Sequence, residues 1–186
     1  MVKLSDVLTQ VGVDGALPNL STAVDKYTWI QAHFNEDIHT DREFQKRYNG
    51  YYRIRRNNEW QNHYYTLMVS LRDKETNFQN ILQILFKKTG RIEASFASKM
   101  LATLNPNSPV IDSKVLIKLG LRLPYYYYSS TDRLDRMCKV FETLSTFFFG
   151  ALSSNEGKLH VAAFRRRYPN IQITDTKILD FLLWKS

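Results

Sequence analysis

Asp112 occupies the position in this sequence that best suits chemistry. It lies in the segment from Pro109 to Val115, where a loop leads into a short apolar stretch. A carboxylate at such a junction is a good N-cap for the helix predicted from Ser113 to Leu119, which Gly120 would end. The same carboxylate can stabilise positive charge that develops on a sugar and orient an attacking water. Capping is the simpler interpretation, and both roles stay open.

Two predicted helices precede Asp112 and are joined by a short turn. The first runs from Asn77 to Lys88, with apolar residues at helical spacing, and Thr89-Gly90 ends it. The second runs from Ala94 to Leu104, and Asn105-Pro106 closes it. Such an αα-hairpin presents free backbone amides near the start of its second helix. The sequence therefore predicts a turn that suits a phosphate group.

This order of hairpin, loop and aspartate resembles the helix-hairpin-helix DNA glycosylase superfamily, over residues 77 to 120. In that superfamily a Pro-Val-Asp-x-His-Val-like motif carries the catalytic aspartate, and Asp112 is its counterpart here. The chain departs from the motif by an extra residue, Ile111, and by Lys114 in place of the histidine. Its hairpin turn contains one glycine, Gly90, where the superfamily usually has two. The resemblance implies a DNA repair hydrolase that releases a base flipped out of double-stranded DNA, with Asp112 as the catalytic residue.

The resemblance also implies which residues contact DNA and how the reaction ends. Members that also cleave the strand carry a nucleophilic lysine, and Ser95 falls nearest to that position. Lys99 lies one helical turn later, so the resemblance implies a monofunctional enzyme that leaves an abasic site. The implied contacts around the hairpin and the aspartate are Gly90, Arg91, Ser95, Lys99 and Lys114.

Two other functions stay open beside the enzyme. A non-catalytic helix-hairpin-helix module could bind nucleic acid through the same hairpin and keep Asp112 as a cap. A helical protein with an acidic protein partner is the third alternative. Fold alone does not separate them. An enzyme should place Asp112 in an open cleft with a basic rim and aromatic walls, whereas a simple cap should be spent on backbone amides at a closed surface.

The charge of the chain favours a polyanionic partner. It has 26 Lys plus Arg residues against 18 Asp plus Glu residues, a formal net charge of +8, and a pI near 9.5. Residues 1–40 hold two lysines and five acids, a net charge of −3, so residues 41–186 carry +11. We therefore expect any anion-binding face to lie after residue 40.

The densest mixture of basic and aromatic residues lies between positions 44 and 60. Arginine and lysine can neutralise phosphates and tyrosine can stack on a base, so this segment suits a nucleic-acid surface. The predicted contacts in it are Arg47, Tyr51, Arg53, Arg55 and Arg56. The equally weighted alternative is that Tyr51, Ile54 and Trp60 belong to the core while the arginines coat the outside. Asn49-Gly50 is expected to form a left-handed turn inside the segment.

A second aromatic run, from Tyr125 to Tyr128, follows the helix that Asp112 would cap. Because the two lie close in sequence, Tyr125 and Tyr126 are the residues we expect to line a base pocket beside the carboxylate. The sequence does not show which of the four tyrosines line the pocket and which pack elsewhere. The basic run from Arg165 to Arg167 is interpreted as a solvated helical face rather than a phosphate clamp.

The hydrophobic pattern predicts an all-α fold in one compact domain over residues 1–186, with acidic helices in 1–40 and a basic body containing the hairpin in 41–186. The lone Cys138 cannot form a disulfide or hold an iron–sulfur cluster, and the four histidines lack metal spacing, so no metal or cofactor is expected. The absence of a signal-peptide pattern or a long apolar run favours a cytoplasmic monomer without a membrane partner. The remaining predicted helices span 3–11, 22–35, 41–48, 59–72, 132–152, 158–168 and 176–184.

Overall fold

The computed structural model describes residues 2–186, and this part of the chain forms α-helices and no strand. The all-α prediction is confirmed. Three short 3₁₀ segments, Leu4–Asp6, Leu17–Asn19 and Glu36–His39, lie between helices near the N-terminus. The ten helices are α1 (Gln10–Ala16), α2 (Ser21–Ala32), α3 (Arg42–Tyr52), α4 (Asn58–Leu71), α5 (Phe78–Thr89), α6 (Ala94–Leu104), α7 (Ser113–Lys118), α8 (Ser130–Ser153), α9 (Asn155–Arg167) and α10 (Asp175–Lys185).

The largest error in the predicted elements is at the N-terminus. A helix from residue 3 to residue 11 was expected, whereas α1 begins at Gln10. Thr9 is the reason, because its extended backbone and its side chain, which accepts from Gly12 N, make it an N-cap. Side chains also cap other helices, with Asp41 at the start of α3, Ser129 at the start of α8 and Thr174 at the start of α10.

Helices α5 and α6 form the expected pair joined by a short turn. Asn77 caps α5 through a 2.9 Å hydrogen bond from Asn80 N. Gly90 ends α5 in the left-handed conformation, with φ of 68°, which glycine adopts without steric cost. Helix α6 covers the predicted residues and packs against α5.

Aromatic side chains fill the centre of the core, which is one continuous cluster of buried residues. Tyr48, Tyr64 and Tyr65 are fully buried. The Tyr48 hydroxyl lies 3.1 Å from those of Tyr64 and Thr103, so one polar network joins α3, α4 and α6. Burial raises the pKa of the Tyr48 hydroxyl above its usual value, which keeps it a neutral partner in this network. The network fixes the positions of α3 and α6, and both helices contribute to a cleft beside Asp112.

Helices α8 and α9 meet at a tight corner around Ser154. Ser154 Oγ donates to Ala151 O at 2.7 Å and accepts from Gly157 N at 3.0 Å, so one side chain ends α8 and caps α9. Gly157 is buried against this corner, and a Cβ added there would lie 2.0 Å from Ala151 O. The corner therefore requires glycine for space.

Two Gly→Ala substitutions test this requirement. Gly157→Ala should lower the free energy of unfolding by about 2 kcal/mol or more, because the helix corner must open to admit the methyl group. Gly150→Ala is the control, since Gly150 lies in α8 with nothing within 4 Å of its added Cβ. It should raise stability by about 0.5–1 kcal/mol through helix propensity. Urea unfolding measures both, and equal effects would contradict the packing assigned to Gly157.

Candidate functional site

A cleft of about 920 Å³ opens beside Asp112. Its size falls within the range of natural ligand sites, roughly 300–1,000 Å³. Its walls come from five regions of the fold: α2, the end of α3, the start of α6, the loop and helix around Asp112, and α10. The cleft is open to solvent, and elements distant in sequence converge on it.

The peptide of Ile111 is clamped to α6 and so sets the position of Asp112. Ser98 Oγ accepts a 2.9 Å hydrogen bond from Ile111 N, and Ser95 Oγ donates a 2.9 Å bond to Ile111 O. Ser98 and Ile111 are both buried, so the bond between them is shielded from bulk water, whereas Ser95 is half-buried and lines the cleft. The extra residue in the motif is thus a buried anchor that holds Asp112 beside α6.

Asp112 is the N-cap of α7 and also part of the cleft wall. Its Oδ1 accepts a 2.8 Å hydrogen bond from Lys114 N. Its Oδ2 accepts no hydrogen bond from residues 2–186. The side chain is half-buried and lines the open cleft. Capping therefore uses one carboxylate oxygen and leaves the other available to a ligand.

Lys99 brings an amine into the same cleft. Its Nζ donates a 3.0 Å hydrogen bond to Tyr52 O and lies 5.0 Å from the centre of the Phe96 ring. Burial lowers the pKa of the Lys99 ammonium, with a smaller contribution from the Arg53 guanidinium, while the Asp112 carboxylate acts in the opposite direction. The two charged groups thus interact across the cleft.

Arg53 ends α3 in a left-handed conformation, with φ of 55° and ψ of 43°. This conformation is uncommon for a residue with a side chain and costs about 1–2 kcal/mol. The expected left-handed turn at Asn49-Gly50 is wrong, because Gly50 lies inside α3. The left-handed residue is instead Arg53, three residues after Gly50, and its exposed side chain lines the cleft.

Aromatic rings and a buried ion pair form the inner part of the cleft. The aromatic members are Tyr51, Tyr52, Phe96, Phe181 and Trp184. Lys177 and Asp180 of α10 also line it and are joined at 2.6 Å, although each is more than nine-tenths buried. The Tyr52 hydroxyl is buried without a hydrogen-bond partner in the described part of the chain. Leaving such a group unsatisfied costs about 1–3 kcal/mol.

The cleft is electropositive at its rim. Six cationic side chains and two carboxylates line it, and one cation and one carboxylate neutralise each other in the buried pair. Four further cations, Lys26, Arg53, Arg122 and Lys185, are exposed. Among residues 2–186, no group of three or more His, Cys, Asp or Glu side chains is arranged to hold a metal ion. The same residues include no helix long and apolar enough to cross a membrane.

The predicted contacts divide between the cleft and other surfaces. Tyr51, Arg53, Ser95 and Lys99 line the cleft with Asp112. Lys114 is exposed, with its Nζ 5.0 Å from the centre of the Trp184 ring. The remaining predicted contacts are not part of the cleft lining: Arg47, Arg55, Arg56, Gly90 and Arg91.

Two of those arginines have protein partners instead. Arg47 forms a 2.7 Å ion pair with Glu43 and lies over the Trp29 ring, while Arg56 is bonded to Glu93. Arg55, Gly90 and Arg91 are exposed. The basic segment therefore splits, with only part of it facing the cleft.

The expected base-pocket role of Tyr125 and Tyr126 is not supported by their positions. They are 57 % and 86 % exposed and do not line the cleft. Tyr125 stacks on Tyr127, with ring centres 5.6 Å apart, so these tyrosines contact one another. Proximity in sequence to Asp112 was misleading. In the segment between α7 and α8, the residues that line the cleft are Leu121, Arg122 and Leu123.

Sequence reasoning missed the residues that α10 contributes. Lys177, Asp180 and Trp184 line the cleft but lie far from the motif in sequence. One signal was present, since Lys177 and Asp180 are spaced i, i+3 among apolar residues of α10. Two opposite charges on an otherwise buried helical face indicate a pair facing inward.

Comparisons with protein-family models, with curated proteins and with solved structures found no match for this chain. The resemblance over residues 77 to 120 therefore rests on the order of hairpin, loop and aspartate.

The interaction of Asp112 with Lys99 can be measured directly. In Asp112→Asn, the pKa of Lys99 should fall further below its usual value, because the carboxylate that opposes the effect of burial is removed. Lys118 is the control. Burial and the Lys114 ammonium lower its pKa, and Asp112 is not among the groups that act on it. Both can be followed by carbon NMR of isotopically methylated lysines. An unchanged Lys99 pKa, or equal changes at both lysines, would show that Asp112 does not act on Lys99.

Proposed function

We propose that this protein is a monofunctional DNA N-glycosylase-like enzyme that binds a duplex and accepts a flipped nucleotide in the cleft. The observation that carries the proposal is the placement of Asp112 in an open cleft with a cationic rim and aromatic walls. This is the arrangement expected of an enzyme rather than of a carboxylate used only for capping. The resemblance over residues 77 to 120 supports the same reaction class.

Binding in this proposal begins with the exposed cations. Lys26, Arg53, Arg122 and Lys185 surround the opening, and such groups neutralise phosphates and release counterions. The aromatic rings inside offer faces on which an extruded base can stack. DNA is therefore held by its backbone at the rim, while one nucleotide reaches the interior.

The chemical step uses the Asp112 carboxylate. As the bond between the base nitrogen and the sugar C1′ lengthens, positive charge develops on the sugar, and the carboxylate stabilises it. Asp112 also accepts a proton from the attacking water, whose oxygen bonds to C1′. The bond electrons leave with the base, which takes up a proton from the solvent, and Asp112 releases to the solvent the proton it accepted. The products are a free base and an abasic sugar. The clamp on Ile111 holds the carboxylate in place.

Water is the nucleophile in this proposal, because Ser95 stands nearest to the position at which strand-cleaving members of the superfamily carry a nucleophilic lysine. Ser95 has no amine, and its hydroxyl donates to Ile111 O. The cleft does contain the amine of Lys99, but Lys99 lies one helical turn beyond that position and its Nζ donates to Tyr52 O. A covalent imine intermediate requires an amine. We therefore assign hydrolysis without strand cleavage.

A non-catalytic nucleic-acid-binding module is the second candidate function. The observation that favours it is the 2.8 Å bond from Lys114 N to Asp112 Oδ1, which gives Asp112 a sufficient structural role. The two functions share the cationic cleft and differ only in the role of the carboxylate. One substitution separates them.

Asp112→Asn should preserve the fold and remove the reaction. Asparagine caps a helix about as well as aspartate, so stability should fall by less than about 1 kcal/mol. Release of free base, measured by mass spectrometry on a panel of duplexes with normal and modified bases, should fall by a factor on the order of 100 or more. DNA binding should remain, because the cations are intact.

Asp41→Asn is the matched control for this experiment. Asp41 caps α3 by accepting from Glu43 N and Phe44 N, and it lies outside the cleft lining. The same substitution there should leave base release unchanged. If Asp112→Asn retains full activity, or if the parent protein binds DNA but releases no base from any duplex, the enzyme proposal is wrong and the binding module replaces it.

A further inference from the structure

The Lys177–Asp180 pair lies at an unusual place for an ion pair. Both residues are more than nine-tenths buried, yet both line the cleft that contains Asp112. Lys177 Nζ donates a 2.6 Å hydrogen bond to Asp180 Oδ2. Lys177 Nζ also hydrogen-bonds the Tyr51 hydroxyl, whereas within residues 2–186 Asp180 Oδ1 accepts no hydrogen bond. The pair therefore retains one N–H donor of the ammonium and one carboxylate oxygen next to open volume.

Aromatic rings surround the ammonium group. Lys177 Nζ lies 4.5 Å from the centre of the Phe181 ring, 4.8 Å from that of Tyr27 and 5.6 Å from that of Tyr51. Burial acts to lower the pKa of Lys177, but Asp180 and the neighbouring tyrosines outweigh it and raise the pKa well above its usual value. Lys177 is thus a charged donor set among flat apolar faces.

Stability alone does not account for this pair. Taking two charges out of water is costly, and well-packed apolar residues of similar volume commonly serve as well or better in a core. The Tyr52 hydroxyl, also buried in this cleft and without a partner, adds a second unsatisfied polar group nearby. An interior with unused polar groups and aromatic walls is typical of a site that recognises a polar, planar ligand.

We propose that Lys177 and Asp180 form a recognition subsite that hydrogen-bonds the polar edge of a nucleobase. This subsite rests on the proposed function, because the nucleotide must enter the same cleft for its base to reach the pair. The ammonium donates to a ring nitrogen or carbonyl oxygen, and the carboxylate accepts from an adjacent N–H group. Nucleobases carry such donors and acceptors side by side, and enzymes that extrude a base read this edge.

The subsite distinguishes a base from a phosphate by its carboxylate. A phosphate group would gain the Lys177 ammonium but would be repelled by Asp180, which is bonded to it. Inorganic phosphate is therefore a suitable negative probe. Free deoxynucleosides, which lack phosphate, are the positive probes because they isolate binding of the base.

The test replaces the pair without leaving a lone charge. The double variant Lys177→Met, Asp180→Leu should fold with a melting temperature close to that of the parent. Its affinity for the deoxynucleosides that the parent binds should fall about tenfold or more, because hydrogen bonds to two charged groups are lost. Titration calorimetry with deoxyadenosine, deoxycytidine, deoxyguanosine, thymidine and inorganic phosphate measures this. The parent protein should bind at least one deoxynucleoside more tightly than it binds inorganic phosphate.

Arg165→Gln, Asp175→Asn is the matched control. That ion pair also spans 2.6 Å and also includes a residue of α10, but it is exposed and lies outside the cleft lining. Its loss should not alter deoxynucleoside affinity. Equal affinities of the parent and the Lys177→Met, Asp180→Leu variant would overturn the inference, as would phosphate binding as tightly as any deoxynucleoside.

A second measurement on the unaltered protein covers the case in which the double variant fails to fold. In amide NMR spectra, added deoxynucleoside should shift resonances of residues 177–181 and of Tyr51 and Tyr52. Shifts confined to residues 125–128, or no shifts, would reject the subsite. This outcome is separable from failure of the proposed function. Deoxynucleoside binding that depends on the pair, in a protein that releases no base from DNA, would retain the subsite and reject the enzyme.

Discussion

Two hydrogen bonds from α6 to the Ile111 peptide hold the site together. Ser95 and Ser98 lie one helical turn apart, and each bonds one polar group of the same buried residue. This clamp fixes where α7 begins and therefore where Asp112 stands relative to Lys99 on α6. The Tyr48 network in turn holds α6 against α3, which carries Tyr51, Tyr52 and Arg53. The packing of the core therefore determines the geometry of the cleft.

The lining of the cleft contains three features that cost stability. Arg53 is held in a left-handed conformation, the Tyr52 hydroxyl is buried without a partner, and the Lys177–Asp180 pair is removed from water. Each feature has a free-energy cost, and all three lie in the lining of one cleft. Such costs tend to gather where a protein binds a ligand, because the ligand satisfies groups that the fold leaves open. Other buried polar atoms without partners lie outside the cleft, so the basis for proposing a site here is the combination of these three features with the Asp112 carboxylate in one lining.

Local signals in the sequence were sufficient for most helices and for Asp112 as a cap. The Thr89-Gly90 stop and the periodicity of α5 and α6 were local properties, and they predicted the paired helices. Long-range placement was not accessible in the same way. Tyr125 and Tyr126 were chosen for nearness in sequence and lie outside the cleft, whereas Lys177 and Asp180 reach it from the far end of the chain. The Arg56–Glu93 pair likewise depended on a tertiary contact, whereas Arg47 pairs locally with Glu43, four residues earlier on α3.

The central claim is that nucleic acid enters through the cationic rim of this cleft. The salt dependence of affinity for a labelled duplex, measured by fluorescence anisotropy, tests it most directly in two charge-matched variants. Arg53→Gln, Arg122→Gln removes two rim charges, while Arg166→Gln, Arg167→Gln removes two exposed charges of α9 outside the cleft lining. If DNA enters at the rim, the slope of log affinity against log salt becomes shallower by about 2 in the rim variant and stays unchanged in the other. Equal slopes in the two variants, or a larger change in the α9 variant, would contradict it.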